Sequence, residues 1–156
     1  MADGGPGPRP RSPLDRLGKA EWGRVVDRRG NPETLRRLDE LGLEFPETLE
    51  ELLEQGEVIR EAGYIPIAMD NGDGWQMQST LLSALVERTA GREWFDRAVV
   101  GDASFSDPEF VNAVEVIETL HENEMFSPGI NQASYGVALT DFVTEEAVYF
   151  IDGGWR

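Results

Sequence analysis

Two tryptophans in this chain stand where an aromatic ring can meet a ligand. Trp75 and Trp155 each follow a glycine, in a loop directly after a predicted strand. A flat indole face in such a loop suits the apolar face of a sugar ring, and the nearby side chains of Asp73, Asp70 and Asn71 can bind its hydroxyl groups. The pattern therefore predicts a ligand-binding loop. Packing against neighbouring side chains is the alternative for each tryptophan taken alone.

Other kinds of chemistry are excluded by residue type or spacing. A calcium-binding EF-hand loop that began at Asp70 would need oxygen ligands at its third, fifth and twelfth positions, which are Gly72, Gly74 and Leu81. With one histidine, His121, at a predicted helix end and no cysteine, the chain has neither a set of zinc ligands nor a Cys/His dyad. No P-loop, dinucleotide-binding or Gly-x-Ser-x-Gly motif occurs. We therefore expect no catalytic residue, no metal and no cofactor.

The acidic side chains determine which partners are plausible. The net charge is -16, and it is uneven: residues 1–30 have a balance of +3 and residues 31–156 a balance of -19. A negative field repels phosphate backbones, so we expect no nucleic-acid partner and favour a neutral or cationic ligand. A glycosidase needs two acids across a sugar bond, and the sequence gives no means of choosing them. We interpret the pairs Glu50–Glu51 and Glu145–Glu146 as solvated.

The chain divides into a leader and a body. Residues 1–30 alternate proline with glycine and arginine, contain few apolar residues, and are predicted to be disordered. Residues 31–156 have the size of one domain. No apolar signal-peptide core follows Met1, and no apolar run reaches the roughly 20 residues that span a bilayer. On these residues alone we expect no export signal, which leaves the location open.

Apolar stripes and helix-end signals predict the helices that position these loops. Thr48 with Glu51 matches a capping box, and Asp107 or Ser106 marks a later helix start. The predicted helices cover approximately residues 34–41, 48–62, 77–90, 93–99, 106–120 and 133–144. The helix after Asp107 is predicted to bury Phe110, Val111, Val114, Ile117 and Leu120.

Two short apolar runs, at residues 64–69 and 147–151, predict strands. Pro66 removes one ladder donor from the first run, so this strand should be marginal or lie at a sheet edge. Two such strands make too small a sheet to stand alone. The sequence therefore predicts a helix-rich α/β fold with few short strands.

A series of short motifs runs in order from Asn31 to the end of the chain. The motifs are Asn31–Leu35, Gly42-Leu43, Pro46-Glu47-Thr48, Ala62–Ala68, Asp73-Gly74-Trp75, Arg88–Gly91, Gly101–Phe110 and Phe142–Trp155. This ordered run resembles the extracellular solute-binding proteins of carbohydrate ABC importers. No single motif is decisive, and the specificity lies in their order.

The resemblance implies a partial periplasmic-binding-protein-like fold of type II, namely the second, helix-rich lobe of a two-lobed protein that closes on a mono- or oligosaccharide. It implies that Trp75 and Trp155 face the sugar, while Asp73, Asp70 and Asn71 hold its hydroxyl groups. It also implies the membrane permease of an ABC importer as a partner, a periplasmic or cell-surface location, and no enzymatic activity.

The chain departs from the family pattern in ways that bear on function. Residues 31–156 correspond to one lobe only, so we expect this chain alone to bind sugar weakly or not at all, and the face of the missing lobe can self-associate. Glu145-Glu146 stands where the family usually has Gly-Lys. Glycine there permits a positive φ, so we expect this turn to differ.

Two other functions stay open beside the sugar-binding lobe. A scaffold or protein-interaction domain derived from such a lobe would keep the fold and lose the sugar. Convergence of Trp75 and Trp155 on one open cleft would favour sugar binding over this alternative. A glycan-active enzyme would need two carboxylates at a cleft, one of them unusually protonated.

Overall fold

The computed structural model of the protein describes residues 32–152. The predicted leader, Asn31 and residues 153–156, including Trp155, lie outside the described residues. In chain order the elements are α1 Pro32–Glu40, α2 Leu49–Glu61, β1 Ile65–Ala68, a π-helix Met77–Leu82, α3 Ser83–Thr89, α4 Gly91–Val99, α5 Pro108–Glu122, α6 Tyr135–Val143 and β2 Ala147–Phe150. The helix-rich α/β fold with few strands is confirmed.

The two strands form a small parallel sheet. Their register is Ile65↔Ala147, Ile67↔Tyr149 and Ala68↔Phe150. Beyond β2, β1 has one isolated bridge, from Ile67 to Phe126. The strand that contains Pro66 thus has a backbone contact on each side, whereas the sequence predicted a marginal or edge strand. Helix α1 contacts β2 directly. The Thr34 hydroxyl donates to the Val148 carbonyl oxygen at 2.8 Å, in a buried contact.

The buried apolar side chains form two clusters. The main core contains Ile67, Val148 and Tyr149 from the strands and collects buried side chains from all the helices except α6. A smaller cluster contains Ala68, Ala147 and, from α6, Ala138 and Phe142. Both strands therefore contribute side chains to both clusters. Within residues 32–152, no helix has the length and apolar character needed to cross a bilayer.

The helices α2 and α5 begin where the capping residues predicted, but some of these residues bond to partners other than the expected ones. The Thr48 hydroxyl accepts a hydrogen bond from the Glu51 backbone N–H at 3.1 Å, as a capping box requires. The Glu51 carboxylate bonds the N–H of Glu47 at 2.6 Å, one residue before the expected donor. α5 begins after Asp107, but the Asp107 carboxylate accepts the indole N–H of Trp94 at 3.0 Å, so it links α4 to α5.

The buried face of α5 agrees in part with the predicted one. Leu120 is buried and Phe110 and Ile117 pack against the main core, as predicted. Val111 and Val114 are 38% and 44% exposed, and Ala113 and Val116 are buried instead. The prediction is wrong at these positions because apolar residues occur around most of this helix. More than one stripe with helical spacing can therefore be drawn through it, and the pattern alone does not choose between them.

The predicted helix over residues 77–90 begins with a π-helical segment. Residues Met77–Leu82 are π-helical, and the N–H of Ser83 donates to the carbonyl of Gln78. One extra residue in a helical turn leaves the apolar pattern nearly unchanged, so the sequence did not reveal it. Short π-helical segments are frequent at functional sites, and this one directly follows the predicted binding loop.

The turn between α6 and β2 keeps a positive φ without glycine. Glu145 has φ +64°, a conformation that L-residues rarely adopt. Its carboxylate forms ion pairs with Arg36 and with Arg37, the latter at 2.8 Å. The hydrogen bond from Arg36 lowers the pKa of Glu145. The Glu145 side chain is 40% exposed, in agreement with its interpretation as a solvated acid, and the ion pairs hold it against α1.

Two substitutions at Glu145 separate backbone strain from the ion pairs. Both Glu145→Ala and Glu145→Gly remove the ion pairs, but only glycine adopts the left-handed conformation without steric cost. We expect the glycine variant to have a higher free energy of unfolding than the alanine variant by about 1 kcal/mol, measured by urea denaturation. The opposite order, which is normal where φ is negative, would show that this turn is not strained.

Candidate functional site

The segments that follow β1 and β2 lie side by side at the carboxyl edge of the sheet. Ala68 pairs with Phe150, so Asp70 and Asp152 occupy equivalent positions, two residues beyond this pair. Ligands of open parallel sheets bind at this edge. The strand register thus brings Asp70, which the sequence analysis singled out, beside Asp152, which it did not.

The loop after β1 is held against a second loop by backbone contacts. The N–H of Asn71 donates to the carbonyl of Ile130, and the N–H of Gly72 donates to the carbonyl of Ala133, both at 2.9 Å. A Cβ on Gly72 would lie 2.5 Å from the Ala133 carbonyl oxygen. Only glycine permits this approach, so Gly72 fixes the distance between the two loops.

Asn71 contributes its side chain to the same junction. Its amide nitrogen donates to the Asn131 side-chain oxygen at 2.9 Å, and its amide oxygen accepts from the Gln78 side chain at 2.9 Å. The side chain therefore links the two loops to the π-helix. A hydrogen bond from Asn71 to a sugar hydroxyl stays a prediction, and in the structure this residue positions its neighbours.

Tyr135 joins the two acidic loops. Its backbone N–H donates to the Asp73 carboxylate at 2.8 Å, and its phenolic O–H donates to Asp152 at 2.7 Å. Its ring lies 5.5 Å from the indole of Trp75, at an interplanar angle of 33°. Trp75 is 37% exposed. The aromatic pair of Trp75 and Tyr135 is thus flanked by the carboxylates of Asp73 and Asp152. The charge of Asp73 also lies at the N-terminal end of α6, where the helix dipole favours a negative group.

Asp70 is fully buried, with 0% of its surface exposed. Neither of its carboxylate oxygens has a hydrogen-bond partner among the described residues. Burial raises the pKa of Asp70 above its ordinary value, and the negative charge of Asp73, then that of Asp152, raises it further. Buried polar groups are nearly always bonded, so this carboxyl group is one that stability does not explain.

Gln76 is a second buried polar side chain at this edge. It is 0% exposed, and its amide nitrogen donates to the carbonyl of Ile151 at 2.9 Å. Its amide oxygen has no partner among the described residues. Gln76 therefore ties the start of the π-helix to the segment after β2. No pattern in the sequence pointed to it.

A cleft of about 570 Å³ opens beside Asp152, between the π-helix, α3 and α4. This volume falls within the range of small-molecule sites. Arg92 lines the cleft, and its guanidinium pairs with Asp96 at 3.1 Å. A second cleft, of about 430 Å³, is lined by the first two residues of β1 and by His121. His121 is exposed in the last turn of α5, as predicted for a solvated helix-end residue.

Four of the five residues predicted to bind a ligand lie in one loop at the sheet edge: Asp70, Asn71, Asp73 and Trp75. The fifth, Trp155, lies outside the described residues, so its convergence with Trp75 stays a prediction. Tyr135, Gln76 and Asp152 were not predicted from the sequence. For Asp152 a signal existed, since it follows the second strand at the same interval as Asp70 follows the first.

Several solved structures are similar in fold to this chain. A chitin oligosaccharide binding protein has a TM-score of 0.71 and 24% identity over 77% of this chain and 30% of its own. A protein from work on xylan utilization by the thermophilic bacterium Caldanaerobius polysaccharolyticus has a TM-score of 0.71 and 21% identity, over 76% and 30% of the two chains. The bacterial solute receptor AcbH, described as preferring β-D-galactopyranose exclusively, has a TM-score of 0.68 and 18% identity, over 76% of this chain and 29% of its own.

These structures share the fold of this chain, which spans about 30% of their length. The expected partial solute-binding-protein fold is thereby confirmed. No curated protein is detectably similar in sequence. The profile of one family, described as bacterial extracellular solute-binding protein, matches residues 28–156. The match covers most of the chain, and the protein therefore belongs to the bacterial extracellular solute-binding protein family.

Proposed function

We propose that residues 31–156 form a non-catalytic, carbohydrate-binding lobe of a solute-binding protein that serves an ABC importer. The observation that carries the proposal is the aromatic pair of Trp75 and Tyr135, flanked by Asp73 and Asp152 at the carboxyl edge of the sheet. An indole face offers an apolar platform for a sugar ring, and the carboxylates accept hydrogen bonds from its hydroxyls. Family membership and the sugars named for the similar structures support it.

The site described is one wall of a cleft, since the chain spans about 30% of the similar structures. We therefore expect weak sugar binding by the chain alone. The importer's membrane permease is the proposed partner, and the family's extracellular location is the proposed location. Two copies can associate through the wall that a second lobe would cover. The proposal also includes the absence of glycoside hydrolysis, which an assay with aryl glycosides checks.

Replacing Trp75 with alanine tests the sugar site directly. Two-dimensional NMR with a panel of mono- and oligosaccharides should show the Trp75 indole signal moving with at least one sugar. The alanine variant should bind that sugar more weakly by about 2 kcal/mol, or roughly thirtyfold, because a central aromatic anchor is lost. Phe105→Ala is the matched control, because Phe105 is a 73% exposed aromatic away from the sheet edge.

Two results would contradict the proposal. One is unchanged sugar affinity in Trp75→Ala, which would remove the aromatic platform from the site. The other is a well-dispersed spectrum in which no sugar moves any signal. The second result would favour the scaffold alternative, for which the structure offers one observation: Val99, Val100 and Phe105 expose an apolar surface between α4 and α5, as protein-contact sites do.

A further inference from the structure

The cleft beside Asp152 opens onto exposed apolar side chains. Phe95, Val99 and Ile151 line the cleft, and Val99 is 85% exposed. Val100, the next residue along the chain, is 70% exposed. A single exposed apolar side chain is normal on a protein surface, whereas several beside a cleft of about 570 Å³ are typical of a contact site.

The charges that line the same cleft are mainly negative. They come from Glu87, Asp96 and Asp152, against one cation, Arg92, which pairs with Asp96 at 3.1 Å. Three acids and one arginine give this lining a formal balance of -2. A segment that combines apolar and basic side chains therefore fits the cleft both by burial of apolar surface and by charge.

Residues 22–29 of the leader have this combination of side chains. They contain three apolar and three basic side chains against one acid, which gives a balance of +2. The apolar side chains are those of Trp22, Val25 and Val26, and the basic ones are those of Arg24, Arg28 and Arg29. Tryptophan and arginine are the residue types that most often dominate the energy of a contact between protein surfaces.

The leader joins the described fold close to this cleft. Helix α1 runs antiparallel to β2, because Thr34 contacts Val148, whereas Arg37, one turn further along α1, contacts Glu145, which precedes β2. The first turn of α1 therefore points toward the carboxyl end of β2. Ile151, which lines the cleft, follows Val148 by three residues, or roughly 10 Å of extended chain.

The connection between this segment and α1 is short. Only residues 30 and 31 separate residues 22–29 from Pro32, and Trp22 lies ten positions before Pro32. Ten extended residues span roughly 35 Å, so Trp22 can reach the cleft. A short connection gives an effective concentration in the millimolar range, at which even a weak contact is populated. Segments without a core of their own can become ordered through such a contact.

We propose that residues 22–29 dock in this cleft of their own chain. Trp22 contacts the apolar side chains of Phe95 and Val99, and the arginines of the segment face the carboxylates that line the cleft. The docked segment lies next to the candidate sugar site, since Asp152 borders both. This inference is independent of the proposed sugar-binding function, because neither the apolar lining nor the opposite charges require a sugar.

A spin label tests the contact in the full chain. The sequence has no cysteine, so Glu93→Cys, at an exposed position on α4 outside the cleft lining, provides a single attachment site for a nitroxide. The indole NMR signal of Trp22, assigned by its absence in Trp22→Phe, should lose most of its intensity. Glu61→Cys is the control, because this exposed residue precedes β1 at the opposite edge of the sheet. Its label should leave the signal largely unchanged.

Val99→Lys separates docking from the chance proximity of a connected segment. Lysine removes an apolar contact and repels the arginines, so the Trp22 signal should recover most of its intensity in the presence of the Glu93→Cys label. Val99 is 85% exposed, so the substitution should leave the fold intact. Val143→Lys, at a 62% exposed position at the end of α6, is the matched control and should not restore the signal. Added salt should weaken the contact.

Two results would overturn the proposal: equal Trp22 intensity with both labels, or a loss of intensity that persists in Val99→Lys. A mixture of isotope-labelled chain without nitroxide and spin-labelled chain without isotope identifies the occupant of the cleft. A loss of Trp22 intensity in this mixture would show that the leader docks on a second copy, which contradicts docking within one chain. None of these measurements uses a sugar, so failure here is distinct from failure of the proposed function.

Discussion

Asp70→Asn should raise the free energy of unfolding at neutral pH by about 1–3 kcal/mol, because it replaces a buried charge without partners by a neutral amide, whose burial costs less. The substitution removes the charge and nearly preserves the shape. Asp70 is fully buried and its oxygens have no partner among the described residues. Urea denaturation measures the change. Asp39→Asn, at an exposed position on α1, is the matched control and should alter stability by less than about 0.5 kcal/mol.

The wild-type protein and Asp70→Asn should also differ in how their free energy of unfolding depends on pH. Burial raises the pKa of Asp70 in the folded state above its value in the unfolded chain. Between these two values the folded state binds more protons, so stability falls as the pH rises through this interval. The advantage of Asp70→Asn should therefore be small at the acid end, grow through the interval, and stay constant above it. An asparagine variant that is no more stable than the wild type at neutral pH would contradict both expectations.

Asp70 then has a cost in stability that its described contacts do not offset. Functional sites often contain groups that lower stability. If Asp70→Asn is more stable and binds sugar more weakly, stability and binding oppose each other at this residue. A stability gain without a change in binding would place Asp70 outside the site.

The second large effect is expected at Gly72. A methyl group on this residue would lie 2.5 Å from the carbonyl oxygen of Ala133 and 3.0 Å from that of Gln132, and both are backbone atoms. Gly72→Ala must therefore separate the two loops and weaken the hydrogen bond from Gly72 to Ala133. We expect a loss of about 1–3 kcal/mol in the free energy of unfolding. The amide signal of Tyr135 should shift as well, since its partner Asp73 belongs to the displaced loop.

Gly136→Ala provides the control for this prediction. Gly136 lies in α6, where an added Cβ would have its nearest neighbour at 3.9 Å, an ordinary contact. Alanine in a helix is favoured over glycine, so this variant should be more stable than the wild type by up to about 1 kcal/mol. If Gly72→Ala is as stable as the wild type and binds sugar equally well, the close approach of the two loops is not required by the site.

Local signals predicted most of the fold. The helix stops, the start of α5 after Asp107, and both strands depend on residues within a few positions of one another, and these predictions agree with the structure. The buried face of α5 was predicted correctly at Leu120 but wrongly at Val111 and Val114, because these two valines are as apolar as the Ala113 and Val116 that the core contains. The π-helix was missed because its distinguishing feature is one extra residue in a turn, not a residue type.

The site required information that the sequence does not carry locally. The bond from Tyr135 to Asp73 joins residues 62 positions apart, and that from Gln76 to Ile151 joins residues 75 positions apart. Sequence patterns placed Asp73 and Trp75 in a binding loop, but they gave no register for the two strands. Without that register, Asp152 could not be assigned to the same edge as Asp70. Likewise, the replacement of glycine by Glu145 predicted a different turn, whereas Glu145 itself adopts the positive φ, and its arginine partners on α1 could not be predicted from the sequence.

The hydrogen bond between Thr34 and Val148 has a consequence for how the protein folds while it is being synthesised. It joins residues 114 positions apart, and β2, which pairs with β1, is the final element described. A ribosome releases α1, α2 and β1 long before β2 exists. Contacts of such long sequence separation slow folding and leave apolar surface exposed while they are awaited. The nascent chain therefore carries an unfinished core until β2 emerges, and its need for chaperones should be greatest just before that moment.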